Sequence, residues 1–297
     1  MMKRIRTALC LILAAALLAG CAFLPSESEP EALAPADPLT GHPLEWPGQR
    51  PVAVTIENST ASATQWGISS ASVVLEALTE AGMATELCLV YPALAATPKV
   101  GPVAAGQDIY WRLLVGQQPL PVQRGGGQFD QNYLDYYSIR AVDALEAGRT
   151  AFDCGSEWSN APLWYTSGSA VSKVLDALSI SAVLTESRVT SAASAAAASA
   201  SSGSDAVLTV PALLPQEEDG KLPDATAPDA VNVRVCFDDN NATGFAYDPD
   251  SGLYRMLHAD GTPQLDANNG QQAGFDNLLV LFSASELRDD GRTYDFD

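Results

Sequence analysis

A chain of 297 residues with 36 acidic and 16 basic side chains has the length of two ordinary domains and a formal charge of −20 at pH 7. Such a surface repels nucleic acid and anionic lipid headgroups, which excludes both as direct ligands and leaves cations, basic peptides or polyamines as loosely attracted partners. Solubility is the simplest reading of the acidity.

The first twenty residues read as an export signal. Lys3, Arg4 and Arg6 form a positive start, and residues 8–19 are an apolar run too short to span a bilayer as a stable helix. Leu18-Ala19-Gly20-Cys21 then matches the motif cut by lipoprotein signal peptidase. Small residues admit the chain to the peptidase, and the Cys21 thiol is the nucleophile that takes a diacylglycerol as a thioether. The sequence predicts cleavage after residue 20 and a lipidated Cys21 holding the protein to the extracytoplasmic face of the cell membrane. Of the 16 basic residues 13 would then remain against all 36 acidic ones, moving the formal charge from −20 to −23. No later stretch has 18 consecutive apolar residues, so no second crossing is expected.

Residues 21–50, rich in Pro, Glu, Ser and Ala, predict a flexible tether. Residues 52–56 are strand-like. Ser69 is placed to cap a helix with an apolar face of Ala71, Val74, Leu75 and Leu78, with Glu76 and Glu80 on one flank and Gly82 as its stop. Residues 87–91 are again strand-like, and strand, helix, strand in this space predicts a βαβ unit with a parallel pair. Further helices are expected at about 107–116, 130–147 and 169–178, with a short strand near 120–122. Residues 51–187 thus read as an α/β domain with βαβ units. Residues 188–229 read as a linker: 191–204 are almost only Ala and Ser, and a Pro- and acid-rich segment follows. In 230–297, Val231, Val233, Val235 and Phe237 alternate before a polar turn. Phe245 and Tyr247 alternate before another, and 253–258 and 278–282 supply more strand. This second domain is expected to be mainly antiparallel β, making the chain α+β overall.

Of five cysteines, Cys10 leaves with the signal and Cys21 carries lipid. Cys88, Cys154 and Cys236 remain, without a Cys-x-x-Cys pair, so neither a zinc knuckle nor a thioredoxin-like site is supported. Cys88 and Cys236 lie in apolar alternations and read as buried. One disulfide among the three stays open.

Several short motifs carry a resemblance. Pro38-Leu39-Thr40-Gly41, Arg50-Pro51-Val52-Ala53-Val54 and Ile56-Glu57-Asn58 are followed by Trp66-Gly67-Ile68-Ser69, Glu80-Ala81-Gly82 and Lys99-Val100-Gly101-Pro102-Val103. Tyr247-Asp248, Gly252-Leu253-Tyr254, Asp260-Gly261, Asp266 and Asn277-Leu278-Leu279-Val280 continue the series. In this order they resemble the YerB-like lipoproteins of Gram-positive bacteria, a two-part domain of unknown function, over about 40–297 apart from the Ala/Ser stretch. The resemblance implies arginines where this chain has Thr85, Ala104 and Gln107, and a His-Ala-Gly-Gly segment where it has Gln123-Arg124-Gly125-Gly126-Gly127. Relatives continue past the position of Asp297, so a shortened second domain is expected.

The candidate ligand-binding residues are Glu57, Asn58, Glu76, Glu80 and Arg124. Glu57-Asn58 ends a strand, where α/β folds bind ligands, and paired carboxylates suit acid–base work or a cation. A solvated helix flank is the plainer reading, since no nucleophile or histidine joins them. His42 and His258 have no metal spacing, and no metal or cofactor is expected. Arg124 and the three glycines after it lack the Lys of a phosphate loop and read as a turn needing positive φ. Residues 239–250 mimic a calcium loop but sit between strands, so a hairpin turn is expected. Trp111, Trp158, Trp164 and the Tyr133, Tyr136, Tyr137 group read as core or cleft wall rather than a sugar platform.

Together these features point to a lipid-anchored protein that binds or scaffolds an envelope protein or cell-wall component, without assigned catalysis. Two alternatives are an envelope enzyme using a carboxylate pair and the solute-capture lipoprotein of an importer. The composition of 191–204 also makes a prediction: limited proteolysis of the native protein cuts first there, and strong amide protection across it would show a stable helix instead.

Overall fold

The computed structural model describes residues 35–58, 65–154, 163–185, 211–213 and 229–296. The export signal, Cys21, Trp158 and the 191–204 stretch lie outside these residues. Residues 36–297 fall into one compact unit.

The first half is built on a five-stranded mixed sheet. In chain order its strands are β1 (Val52–Glu57), β2 (Val73–Ala77), β3 (Glu86–Tyr91), β4 (Leu120–Gln123) and β5 (Val142–Asp143), and in space they run β2-β3-β1-β4-β5. Helices α1 (Asp108–Leu114) and α2 (Gln128–Tyr136) cover one face, where Tyr110, Trp111, Leu114 and Leu134 pack on Ala53, Cys88 and Val90. Val52, Val54, Ile56, Leu87, Leu89 and Tyr91 point to the other face. β1 is central and covered on both sides, which is why its sequence is an unbroken apolar run.

The helix expected from Ser69 onward is instead strand β2, hairpinned antiparallel to β3. An apolar run this short satisfies both periods: Val73, Leu75 and Ala77 pack on the helix-covered face, and Val74 packs on the opposite core. The β-branched Val73-Val74 pair and the mate at β3 decide for the strand. β1 and β3 are antiparallel, so the βαβ unit expected over 52–91 is absent. The parallel pairs lie further on: β1 with β4 across α1, and β4 with β5 across α2. The helix expected over 130–147 is broken. α2 ends at Tyr136, Ser138 takes φ 53°, and a short α3 (Ala144–Ala147) restarts with Asp143 accepting from the Leu145 N–H at 2.8 Å. The last expected helix begins as α4 (Gly168–Val171) and continues as turns, after the two-stranded pair β6 (Asp153–Cys154) and β7 (Trp164–Tyr165).

The flexible tether expected to reach residue 50 ends earlier. Leu39 is buried, and Arg50, 2% exposed, donates to the carbonyls of Gln118 at 2.9 Å and Ser181 at 2.6 Å. These bonds tie residues 36–50 to the body.

The second half is antiparallel. β8 (Asn232–Cys236), β9 (Ala242–Asp248), β10 (Leu253–Leu257) and β11 (Gly274–Phe275) form a meander in the order β11-β10-β9-β8. β12 (Ser285–Leu287) and β13 (Tyr294–Phe296) form a separate hairpin. Residues 278–282, expected as strand, pair with no strand among the described residues, and Leu279, Leu281 and Phe282 are exposed. Cys236, expected inside, is exposed on edge strand β8, while Cys88 is buried; all three described cysteines are free.

The halves are not separate bodies. Met256 and Ala273 of the second lie in the same core as Ile56 and Leu87 of the first. Asp266, with no exposed surface, accepts from Gly67 N–H at 3.0 Å, Ser69 N–H at 3.0 Å, Ser69 O–H at 2.7 Å and Asn268 N–H at 2.8 Å. Gly67 is required there: its φ is 97°, and a Cβ would lie 2.5 Å from the Tyr91 hydroxyl. Burial pushes the Asp266 carboxyl up, but its hydrogen bonds outweigh that and hold it below the ordinary range. A lowered carboxyl stabilises the fold above its unfolded pKa, and the gain is lost as pH falls through the folded one. Asp266→Ala should cost about 3 kcal/mol or more at pH 7 by urea unfolding, because it orphans buried N–H groups, and the cost should shrink toward pH 3. A pH-independent cost would sink the electrostatic part of this account.

Candidate functional site

Strand alternation divides the expected site in two. Glu57 stands opposite Glu86 in the β1–β3 register, and Glu76 stands opposite Leu87 in the β2–β3 register. Successive side chains of a strand point to opposite faces. Glu57 therefore shares the helix-covered face with Glu86, whereas Asn58 and Glu76 meet on the face toward the meander.

On the meander side, the Glu76 Oε1 accepts from Asn58 Nδ2 at 3.0 Å, Thr85 Oγ1 at 2.7 Å and Thr243 Oγ1 at 2.7 Å. Asn58 Oδ1 in turn accepts from Gln65 Nε2 at 2.9 Å, and Gln264 donates to Gln65. Burial raises the Glu76 carboxyl above its ordinary range, and the three donors offset this only in part. Beside this network is a cavity of about 180 Å3 lined by Asn58, Thr85, Asn240, Thr243, His258 and Gln264. Residues from both halves of the chain make its wall.

On the helix side, Glu57 has Arg124 at 3.8 Å. Burial raises Glu57, against the pull of that arginine. Glu86 is pushed up to about 7, first by burial and then by the neighbouring Glu80 and Glu57 charges, against hydrogen bonds from Gln107 and Thr79. Glu80 leans away to Arg292, with its Oε2 2.6 Å from the guanidinium. These carboxylates thus have Arg124 beside Glu57 and receive Arg292 from the far end of the chain. Arg288, its side chain 6% exposed, grips Asp108 through two 2.8 Å hydrogen bonds and stacks 4.3 Å over the Phe129 ring. These contacts fasten the β12–β13 hairpin beside α1 and α2.

The glycine loop after β4 is a structural turn. Gly125 has φ 69° and donates its N–H to Asp143 at 2.9 Å, and the Arg124 N–H is taken by the Ala104 carbonyl at 2.7 Å. A Cβ on Gly126 would fall 1.9 Å from an Asp130 carboxylate oxygen. Asp130, 2% exposed and pushed up to about 6 by burial, accepts from Trp111 Nε1 at 2.6 Å and Gln123 Nε2 at 2.9 Å. Trp111 is therefore core, as expected. Residues 238–241 form a hairpin turn in which Asp238 accepts from the Asn240 and Asn241 N–H groups, both at 2.7 Å. Tyr133 packs half-buried against the core, as expected, whereas Tyr136 and Tyr137 depart from expectation. Tyr136 is 81% exposed, and the rings cluster at 4.6 and 4.9 Å on the surface.

Two models of one family, the N-terminal and C-terminal domains of the protein of unknown function DUF3048, match residues 39–181 and 232–297. The chain belongs to the DUF3048 family. A relative from Bacillus subtilis (strain 168), named "Putative lipoprotein YerB", is 25% identical over 261 residues, covering 86% of this chain and 70% of the relative. The crystal structure of the YerB protein from Bacillus subtilis matches with a TM-score of 0.68 at 22% identity, over 89% of this chain and 80% of that one. The DUF3048 fold is therefore a mixed sheet with helices followed by antiparallel sheets, in agreement with the α+β expectation.

Sequence reasoning missed Glu86, Thr243, Arg288 and Arg292, and set His258 aside. Glu86 had a signal, since it opens the alternation of Cys88 and Val90 on the helix-covered side. The others are brought in only by long-range packing. Glu86 makes a pH prediction. Its unfolded carboxyl ionises near 4.5 and its folded one near 7, so its contribution to stability is lost as pH rises across that window. Glu86→Gln should gain about 1–3 kcal/mol relative to the parent between pH 5 and pH 8, measured by urea denaturation. An equal difference at both pH values would refute it.

Proposed function

We propose that this DUF3048 protein is a lipid-anchored extracytoplasmic protein that binds or scaffolds a component of the cell envelope. The anchoring half of the reading rests on the charged start and the Leu18-Ala19-Gly20-Cys21 motif, and the name of the Bacillus relative supports it. No helix among the described residues is long and apolar enough to cross a membrane.

One observation favours binding over catalysis: the sheet separates the carboxylates an enzyme reading would pair. Glu57 and Glu76 face opposite sides, Glu76 Oε1 already holds three donors, and Glu80 holds Arg292. A glycosidase-type pair needs two carboxyls facing one substrate across roughly 5–10 Å. The importer reading is also disfavoured. It calls for two similar α/β lobes closing about a hinge, whereas the second half is antiparallel and shares its core with the first.

Replacing Cys21 by Ser should release the protein from the membrane fraction or leave it as an uncleaved precursor. Normal processing with unchanged membrane retention would overturn the anchoring.

A further inference from the structure

We propose that the cavity beside Glu76 is a binding site for a neutral, hydroxyl-rich ligand of monosaccharide size. The inference rests on the reading of the chain as a binding protein and names the class of ligand.

Size comes first. The cavity offers about 180 Å3 to the centres of water-sized atoms, and at about 10–15 Å3 for each this is space on the order of a dozen non-hydrogen atoms. That suits one sugar ring and is too small for a peptide or polymer segment to be enclosed.

The lining sets the chemistry. Asn240 and Gln264 bring amides, which both donate and accept; Asn58, whose Nδ2 already donates to Glu76 and Thr85, brings its amide oxygen, and Thr85 and Thr243 bring hydroxyls. Both threonine protons are committed to Glu76, at 2.7 Å each, and Thr85 Oγ1 also accepts from Asn58 Nδ2 at 2.7 Å, so what the hydroxyls keep for a ligand is a remaining lone pair on Thr85 and the acceptor capacity of Thr243. The Asn240 amide and the His258 imidazole make no side-chain hydrogen bond among the described residues and remain available to a ligand. Met256 and Leu257 add an apolar wall suited to the C–H face of a ring.

Charge narrows the class. No lysine or arginine lines the cavity, and the Glu76 carboxylate stands directly behind Asn58, Thr85 and Thr243. An anion would meet that charge without a cation to offset it. A cation gains little, because the three donors shield Glu76 Oε1 from the opening. A neutral polyol can satisfy the amides and hydroxyls without desolvating a charge. Asn58 and Thr85 come from the first half of the chain and the other five polar residues, Asn241 among them, from the second, so a bound ligand also adds to the contacts joining the halves.

The test uses full-length protein in a zwitterionic detergent and isothermal titration with glucose, N-acetylglucosamine, glucuronate and inorganic phosphate. At least one neutral sugar should bind, with glucuronate and phosphate weaker by about tenfold or more. Ala259 is exposed at the cavity wall, so Ala259→Trp should block entry without disturbing the core, and Asn240→Ala should weaken binding severalfold. The proposal is overturned if neither neutral sugar gives a measurable heat of binding, if glucuronate binds as well, or if binding survives Ala259→Trp. Membrane retention through Cys21 is read independently, so loss of the ligand class would leave the anchoring intact, and loss of anchoring would not touch the titration.

Discussion

Asp266 has no exposed surface, yet it carries a charge and uses both oxygens to hold backbone N–H groups of Gly67 and Ser69, about two hundred positions earlier in the chain. A buried carboxylate is tolerated only when its lone pairs are filled, and this one accepts four hydrogen bonds. The turn at 67–69 and the loop at 266–269 therefore fold as one feature. Around it, Gln65 and Asp266 form a parallel bridge, the Ala267 N–H donates to Gln65, and Asn268 reaches the Lys99 carbonyl. The Gln264–Gln65–Asn58–Glu76 chain of contacts starts from the same place. With this junction closed, Met256 and Ala273 complete the core of the first sheet.

The same sheet keeps like charges apart. Glu57 and Glu86 are direct cross-strand neighbours, an unfavourable arrangement for two ionised carboxyls, and burial raises both. Had Glu76 pointed to that face as well, it would have been a fourth carboxylate beside Glu57, Glu80 and Glu86. Alternation sends it to the other side, where neutral donors from both halves receive it. The result is one acidic cluster with arginines near it and one neutral polar cavity, not a single acidic pocket.

The β12–β13 hairpin is held electrostatically more than by apolar contact. Leu287 is exposed, while Arg288 grips Asp108, Arg112 reaches Asp295 at 2.8 Å, and Arg292 reaches Glu80. Backbone bonds extend the attachment, with Tyr294 donating to Thr79 and Ala81 to Arg292. Exposed pairs contribute little singly, but Arg288 is nearly buried, stacked on Phe129 and bonded at both ends of its fork.

The α+β class, central strand β1, helix α1 and the hairpins of the meander were legible because each is written in local composition: an unbroken apolar run, a 3.6-residue period, or alternation punctuated by Asp, Asn and Gly. The export motif is local in the same sense. β2 was not legible, because a five-residue run with four apolar side chains fits both a helix and a strand until β3 supplies hydrogen bonds. Nor was the pairing of Asn58 with Glu76 and the exclusion of Glu57, since a one-residue offset sends a strand side chain to the opposite face and only the observed register sets that offset. Thr243, Asp266, Arg288 and Arg292 lie far along the chain from their partners, and no periodicity encodes a contact of that range. The sequence by itself determined which segments are apolar, alternating or turn-rich; the tertiary structure decided which polar groups meet, because burial and hydrogen bonding across distant segments are properties of the packed chain.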